Sequence, residues 1–166
     1  GGIVASSTGT GGYLTDSANE NEIKIYASDN YGLVTAPNAN IGGFMGMTDG
    51  SMSLLEIIGC YNYGDVICTG GNNAGGFVGQ NGGCNAVITG NVNYGHVKSN
   101  GCVASGALAY TWNGNWNSLV FEDNVNYGTA ENSNGDATGL IMQPACDTVA
   151  EINNNVNYGT IISSSN

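Results

Sequence analysis

His96 is the only histidine in the chain, and Lys24 and Lys98 are its only cations. A Ser-His-Asp or Cys-His nucleophilic site therefore has to run through His96, and a His-rich zinc site cannot be built. Two carboxylates suffice for glycoside hydrolysis, and Glu20/Glu22 and Glu122/Asp123 are the acidic pairs. Neighbouring acids in sequence, however, point to opposite faces of a strand or remain solvated. A lyase-type proton abstraction needs a basic residue, and the two lysines stand 74 residues apart. The five cysteines, Cys60, Cys68, Cys84, Cys102 and Cys146, include no Cys-x-x-Cys pair, which argues against a zinc or redox motif. Calcium-binding loops of the Asp-x-Asp-x-Asp-Gly or Gly-Gly-x-Gly-x-Asp type are also missing. The expectation is a protein with no catalytic residues, no metal and no cofactor.

Charge narrows the partners. Thirteen acids against two lysines give a net charge of −11, with no arginine, so the chain would repel a polyanion. Nucleic acid is excluded as a partner, because its binding depends on neutralising phosphates with Lys and Arg. Charged residues are 9% and hydrophobic residues 41% of the 166, with 28 Gly and only 2 Pro. That is not a disordered composition, and it fits one domain over residues 1–166 whose surface is made polar by Asn, Ser and Thr. No apolar run approaches the roughly 18–20 residues of a membrane span. The acidic, Lys-poor, Asn/Ser/Thr-rich composition favours an extracellular or cell-surface setting.

The elements that must position these residues are set by a repeat. Asn-Tyr-Gly occurs five times, at Tyr31, Tyr63, Tyr94, Tyr127 and Tyr158, with spacings of 32, 31, 33 and 31 residues. Six residues before each tyrosine stand Ile25, Ile57, Ile88, Phe121 and Ile152; three after it stand Val34, Val66, Val97, Ala130 and Ile161. Further on lies a glycine-led apolar patch, as in Gly42-Gly43-Phe44-Met45 and Gly75-Gly76-Phe77-Val78. Apolar residues alternate with a period of two over short segments, which is strand patterning, and no segment keeps a helical spacing. The period predicts an all-β parallel β-solenoid of about five coils of 31–33 residues with three short strands each. Equivalent strands would pair in register about 4.8 Å apart.

In that fold the asparagines Asn30, Asn62, Asn93, Asn126 and Asn157 are expected to be buried and to bond amide to amide from coil to coil. The five tyrosines are expected to form a parallel aromatic ladder embedded in the corner, in preference to a stripe that grips sugar rings. Gly32, Gly64, Gly95, Gly128 and Gly159 would supply backbone freedom for the turn. In repeat coordinates Cys68 lies five after its tyrosine and Cys102 eight after its own, one coil on, which makes them the candidate disulfide pair with an offset of three positions; an odd thiol is left over, expected to act as a small hydrophobe. The variable loops collect on one face, and Trp112-Asn113-Gly114-Asn115-Trp116 is the most suggestive of them. Trp112 and Trp116 are a candidate contact loop for a glycan or protein, against the plainer reading that they cover the solenoid edge.

With its columns written out, the pattern resembles the GLUG-type repeats of bacterial surface proteins. Ile58-Gly59-Cys60-Tyr61-Asn62-Tyr63-Gly64-Asp65-Val66, followed by Gly75-Gly76-Phe77-Val78-Gly79, is the closest copy, while the repeats at Tyr127 and Tyr158 are degenerate. The resemblance spans nearly the whole chain and implies a scaffold of adhesin type; it carries over no catalytic residue. The leading expectation is a non-catalytic structural or adhesive module of a secreted or surface protein, part of a stalk or fibre. Its partners would be itself, stacked end to end, or flanking repeats of a longer chain, together with an environmental glycan or protein. A carbohydrate-binding or carbohydrate-active β-helix is the alternative. Ice binding is disfavoured, because neither outward column (Leu33, Asp65, His96, Thr129, Thr160 or Thr35, Ile67, Lys98, Glu131, Ile162) is a regular threonine array.

Overall fold

The computed structural model describes residues 22–48, 53–111, 118–142 and 149–164, and among them there is no helix. The chain winds through five short strands per coil. The first coil holds β1 (Glu22–Tyr26), β2 (Asp29–Asn30), β3 (Val34–Ala36), β4 (Ile41–Gly42) and β5 (Met45–Met47). The second holds β6 (Leu54–Ile58), β7 (Tyr61–Asn62), β8 (Val66–Cys68), β9 (Ala74–Gly75) and β10 (Val78–Asn81). The third repeats them as β11 (Asn85–Thr89), β12 (Val92–Asn93), β13 (Val97–Ser99), β14 (Val103–Ser105) and β15 (Leu108–Thr111). The fourth has β16 (Ser118–Glu122), β17 (Val125–Asn126), β18 (Ala130–Asn132) and β19 (Asp136–Thr138), and the last β20 (Val149–Asn153), β21 (Val156–Asn157) and β22 (Ile161–Ser163).

Each strand pairs in parallel with its counterparts one coil above and below, giving sheets β1-β6-β11-β16-β20, β2-β7-β12-β17-β21, β3-β8-β13-β18-β22, β4-β9-β14-β19 and β5-β10-β15. The fold is an all-β parallel solenoid of about four turns. The repeat columns are the register: Ile25, Ile57, Ile88, Phe121 and Ile152 pair in succession, as do Asn30, Asn62, Asn93, Asn126 and Asn157. Among the described residues no helix is long and apolar enough to cross a membrane.

Five strands per coil replace the three expected, for two reasons. The residue pair ending in the corner asparagine, such as Val92–Asn93, forms its own two-residue strand. The Gly-Gly-Phe-Val segment, expected as one strand, is split at Gly76 and Phe77, which turns the Phe77 ring into the core. The bend is so tight that a Cβ on Gly75 would lie 2.0 Å from the Val78 carbonyl oxygen.

A second turn was not anticipated. Four residues before each corner tyrosine, Ala27, Gly59, Gly90, Asp123 and Asn154 all have φ between 44° and 65°. A left-handed residue at this point in every coil redirects the chain from the first side to the second. Inside the prism, Phe44, Phe77, Phe121, Leu55, Ile57, Ile88, Leu108 and Leu119 are fully buried. The core forms because the alternating residues of β6, β11 and β16 face inward while their neighbours Glu56, Val87 and Val120 face outward.

Candidate functional site

The corner carries two ladders, one inside and one outside. Inside, Asn30 Nδ2 donates to Asn62 Oδ1 at 2.8 Å, Asn62 to Asn93 at 2.7 Å, Asn93 to Asn126 at 2.8 Å and Asn126 to Asn157 at 2.7 Å. The same Nδ2 also reaches the glycine carbonyl two residues on in its own coil, as Asn93 does to Gly95 at 3.0 Å. Asn30, Asn62, Asn93 and Asn126 are buried. The amides thus tie each coil to the next and at once hold their own corner shut.

The corner glycines act differently from expectation. None of them has a positive φ, and what Gly64, Gly95, Gly128 and Gly159 supply is clearance, while Gly32 in the first coil has only Asn30 Oδ1 nearby at 3.7 Å. A Cβ on Gly95 would stand 2.0 Å from the Gly64 carbonyl oxygen and 2.9 Å from Asn62 Nδ2. The chain needs glycine here because the rung below comes too close for any side chain.

Outside, the tyrosines form a continuous stack. Ring centroids lie 4.8, 5.1, 5.1 and 5.2 Å apart from Tyr31 through Tyr63, Tyr94 and Tyr127 to Tyr158, with interplanar angles of 4°, 1°, 5° and 14°. Tyr61 joins from the side, 6.2 Å from Tyr63. The rings project into solvent: Tyr63, Tyr94 and Tyr127 are 41–49% exposed, Tyr31 71% and Tyr158 67%. The expectation that the column is embedded in the corner is corrected, because at a strand period of two the residue after a buried asparagine points outward. Stacking on one another occupies the ring faces that a sugar would need. Only the edges, the hydroxyls and the outer faces of Tyr31 and Tyr158 meet solvent. Tyr31 Oη donates to Asp29 Oδ2 at 3.1 Å, a bond that raises the phenol's pKa. Desolvation raises that of Tyr63.

A further asparagine ladder escaped sequence reading. Asn91 Nδ2 donates to Asn124 Oδ1 at 2.9 Å and Asn124 to Asn155 at 3.0 Å, while each amide also bonds a main-chain carbonyl one coil back (Ile57, Ile88, Phe121). The signal was the Asn-Val-Asn-Tyr-Gly spelling of three repeats. In the second coil Cys60 takes the asparagine's place, and its thiol points at the Ile25 carbonyl, 3.5 Å away. Burial raises the pKa of that thiol. A third column ends early: Asn73 Nδ2 donates to Asn40 Oδ1 at 3.0 Å, but Asn73 Oδ1 is buried without a partner.

The remaining candidates for chemistry are scattered. Lys98 Nζ pairs with Glu131 Oε1 at 2.5 Å across one rung, and this bond, ahead of the nearby His96, holds the Glu131 carboxyl below its ordinary pKa. His96 Nε2 lies 3.1 Å from Glu131 Oε2 without an aligned hydrogen bond, since the same nitrogen has no hydrogen-bond partner. Asp65 Oδ1 accepts the His96 main-chain N–H, and the carboxylate beside the imidazole is that of Glu131, which is shared with Lys98. Glu22 is ion-paired with Lys24, Glu122 Oε1 accepts from Asn153 Nδ2, and Asp123 occupies a left-handed turn position; Glu20 lies outside the described residues. Glu122 and Asp123 therefore sit side by side at the end of β16 and in the turn after it, not opposed across a cleft. No group of three or more His, Cys, Asp or Glu is placed to hold a metal among the described residues.

Cys68 and Cys102 are both free thiols, which corrects the disulfide expectation. The rung partner of Cys68 is Ser99, three residues short of Cys102, and the two thiols sit on opposite sides of the wall. Cys68 is buried, pointing at the Ala39 carbonyl, whereas Cys102 is exposed beside the Gly71 carbonyl. Cys84 is buried, with its Sγ 3.2 Å from Asn81 Oδ1. Trp112, Trp116 and Cys146 lie outside the described residues. The arrangement is one of ladders rather than a pocket: it can bond a rung like itself, and it presents a straight row of phenols. No protein-family model, curated protein or solved structure matches the chain.

Proposed function

We propose that this chain is a non-catalytic structural module of a secreted or surface protein, built to be continued by a further rung of its own repeat. One observation carries the reading. The inward columns that are closed in the middle coils are open in the last one: Ile152 is 42% exposed where Ile57, Ile88 and Phe121 are fully buried, and Ile161 is 49% exposed where Val66, Val97 and Ala130 are fully buried. Beside them Asn157 Nδ2 reaches Gly159, and the amide-to-amide register of the four rungs before it points onward to a next asparagine. Apolar columns and ladder amides together define what fits there, a coil with the same spacing. For the isolated chain that coil is supplied by a second copy, and repeated head-to-tail stacking gives a fibre.

The resemblance to GLUG-type surface repeats supports the same reading, as does a surface of Asn, Ser and Thr with few charges. A sugar-gripping stripe has less support, because the tyrosines spend their faces on one another. Sedimentation of the chain at rising concentration and ionic strength tests the proposal; salt is needed to screen a net charge of −11. Concentration-dependent association that the substitutions Ile152→Asp and Ile161→Asp abolish is the expected result. A chain that stays monomeric throughout, or assemblies indifferent to those substitutions, overturns it.

A further inference from the structure

The two ends of the tyrosine column differ in a way that exposure does not explain. Tyr31 and Tyr158 are almost equally exposed, at 71% and 67%. Yet Tyr31 Oη donates to the Asp29 carboxylate at 3.1 Å, while the residue in the same column beside Tyr158 is Val156. A phenol gives up an electron most readily when its proton can leave in the same step, and a hydrogen-bonded carboxylate is the group to take it. Between the two ends the rings are near-parallel and no more than 5.2 Å apart, so their π systems are in contact from rung to rung.

We infer that the tyrosine column conducts single-electron oxidation along the solenoid and delivers the radical to Tyr31, which makes Tyr31 a site of oxidative cross-linking between copies of the protein. The co-reactant is a one-electron oxidant, such as a peroxidase or a photo-excited ruthenium complex with persulfate as the final acceptor. It removes an electron from any ring of the column, and the vacancy is filled in turn by the neighbouring ring. When it reaches Tyr31, that ring's electron passes to Tyr63 and its proton to Asp29, leaving a neutral phenoxyl radical. The raised pKa of Tyr31 keeps the proton on oxygen until the electron has gone. Two such radicals from two copies then form one carbon–carbon bond between ring positions ortho to oxygen, and the ortho hydrogens return to the phenol oxygens. The net change is two electrons to the oxidant and two protons to solvent. Neighbours within a column do not couple, because parallel rings held at the rung spacing keep their ortho carbons a full stacking distance apart.

Tyr26 is the internal control. It is 49% exposed and its hydroxyl also donates to a carboxylate, that of Glu56, but it stands outside the column. The experiment is illumination of the whole chain with tris-bipyridyl ruthenium and persulfate at limiting light, followed by denaturing electrophoresis and mapping of the dityrosine-linked peptides. The expected result is a covalent dimer linked several-fold more often through Tyr31 than through Tyr158 or Tyr26. Asp29→Asn should bring Tyr31 down to the level of Tyr158. Tyr94→Phe keeps a ring in the stack but widens the gap between oxidisable rings to two rungs; it should at least halve linkage at Tyr31 and raise it at Tyr127 and Tyr158. Circular dichroism of both variants verifies that the solenoid is intact. Equal linkage through Tyr31 and Tyr158 in the unmodified chain overturns the inference, as does linkage through Tyr26 that matches Tyr31, or a Tyr31 yield that Tyr94→Phe leaves unchanged.

Discussion

Asn93 Nδ2 donates both to Asn126 Oδ1 in the next coil, at 2.8 Å, and to the Gly95 carbonyl in its own, at 3.0 Å. One buried amide thus closes a corner and joins two coils, and its Oδ1 accepts from Asn62 at 2.7 Å. Asn93→Ala removes the group and leaves buried partners on both sides. The expected loss is on the order of 3 kcal/mol, since each stranded buried group costs about 1–3 kcal/mol. Urea denaturation measures it, and a neutral substitution would mean the ladder adds nothing to stability.

The left-handed turn residue of each coil makes an opposed pair of substitutions informative. Ala27 holds φ 44° with a Cβ, while Gly90 holds φ 65° without one. Ala27→Gly should stabilise and Gly90→Ala destabilise, each by about 1 kcal/mol, because the left-handed region costs an L-residue roughly 1–2 kcal/mol. Nothing lies nearer than 4.0 Å to a Cβ built on Gly90, so a loss there reports conformation rather than a clash. Thermal melts of the two variants moving in the same direction would contradict the assignment.

The period was legible because an in-register solenoid makes every coil obey the same spacing. One tripeptide located Asn30 through Asn157 and with them the whole register. What stayed illegible depended on direction rather than spacing. Ala27, Gly59, Gly90, Asp123 and Asn154 share a backbone conformation but not a residue type, so no letter marks the turn. Cys60 hides a ladder position for the same reason, its thiol meeting a carbonyl where Asn91 and Asn124 use an amide. The disulfide expectation failed on three residues of offset, which in a solenoid is the difference between the inside of the wall at Cys68 and the outside at Cys102.

Acid should weaken one identifiable rung. The hydrogen bond from Lys98 depresses the Glu131 pKa below its ordinary 4.5. A depressed folded-state pKa contributes stability that is complete above the unfolded value and is lost as pH falls through the folded one. Stability should therefore decline below about pH 4.5, and Glu131→Gln should flatten that part of the curve while leaving the neutral-pH melting temperature nearly unchanged, as expected of a solvent-screened pair. Melts from neutral to acid pH in both chains decide the point. An identical acid slope in the two would show that other carboxylates set it.

Glycine at the corner is required for clearance, and a pair of alanine substitutions separates that from flexibility. At Gly95 a Cβ would stand 2.0 Å from the Gly64 oxygen, 2.8 Å from the Gly64 carbonyl carbon and 2.9 Å from Asn62 Nδ2. Two of those atoms are main chain in a neighbouring rung, which cannot yield without opening the bonds from Tyr94 and Gly95 to the Asn62 carbonyl. Gly71, by contrast, has nothing within 4 Å of its Cβ position and no left-handed φ. If glycine served only to loosen the chain, the two substitutions would act alike, each reducing the unfolded state's freedom and stabilising by a few tenths to about 1 kcal/mol. Clearance predicts instead that Gly71→Ala is neutral or mildly stabilising. Gly95→Ala should then cost several kcal/mol, in the range of overpacking and broken buried hydrogen bonds. Hydrogen exchange locates the damage: in Gly95→Ala the amides of Tyr94, Gly95, Tyr127 and Gly128 should lose protection before those of β6 and β11, because the rungs part at the corner first.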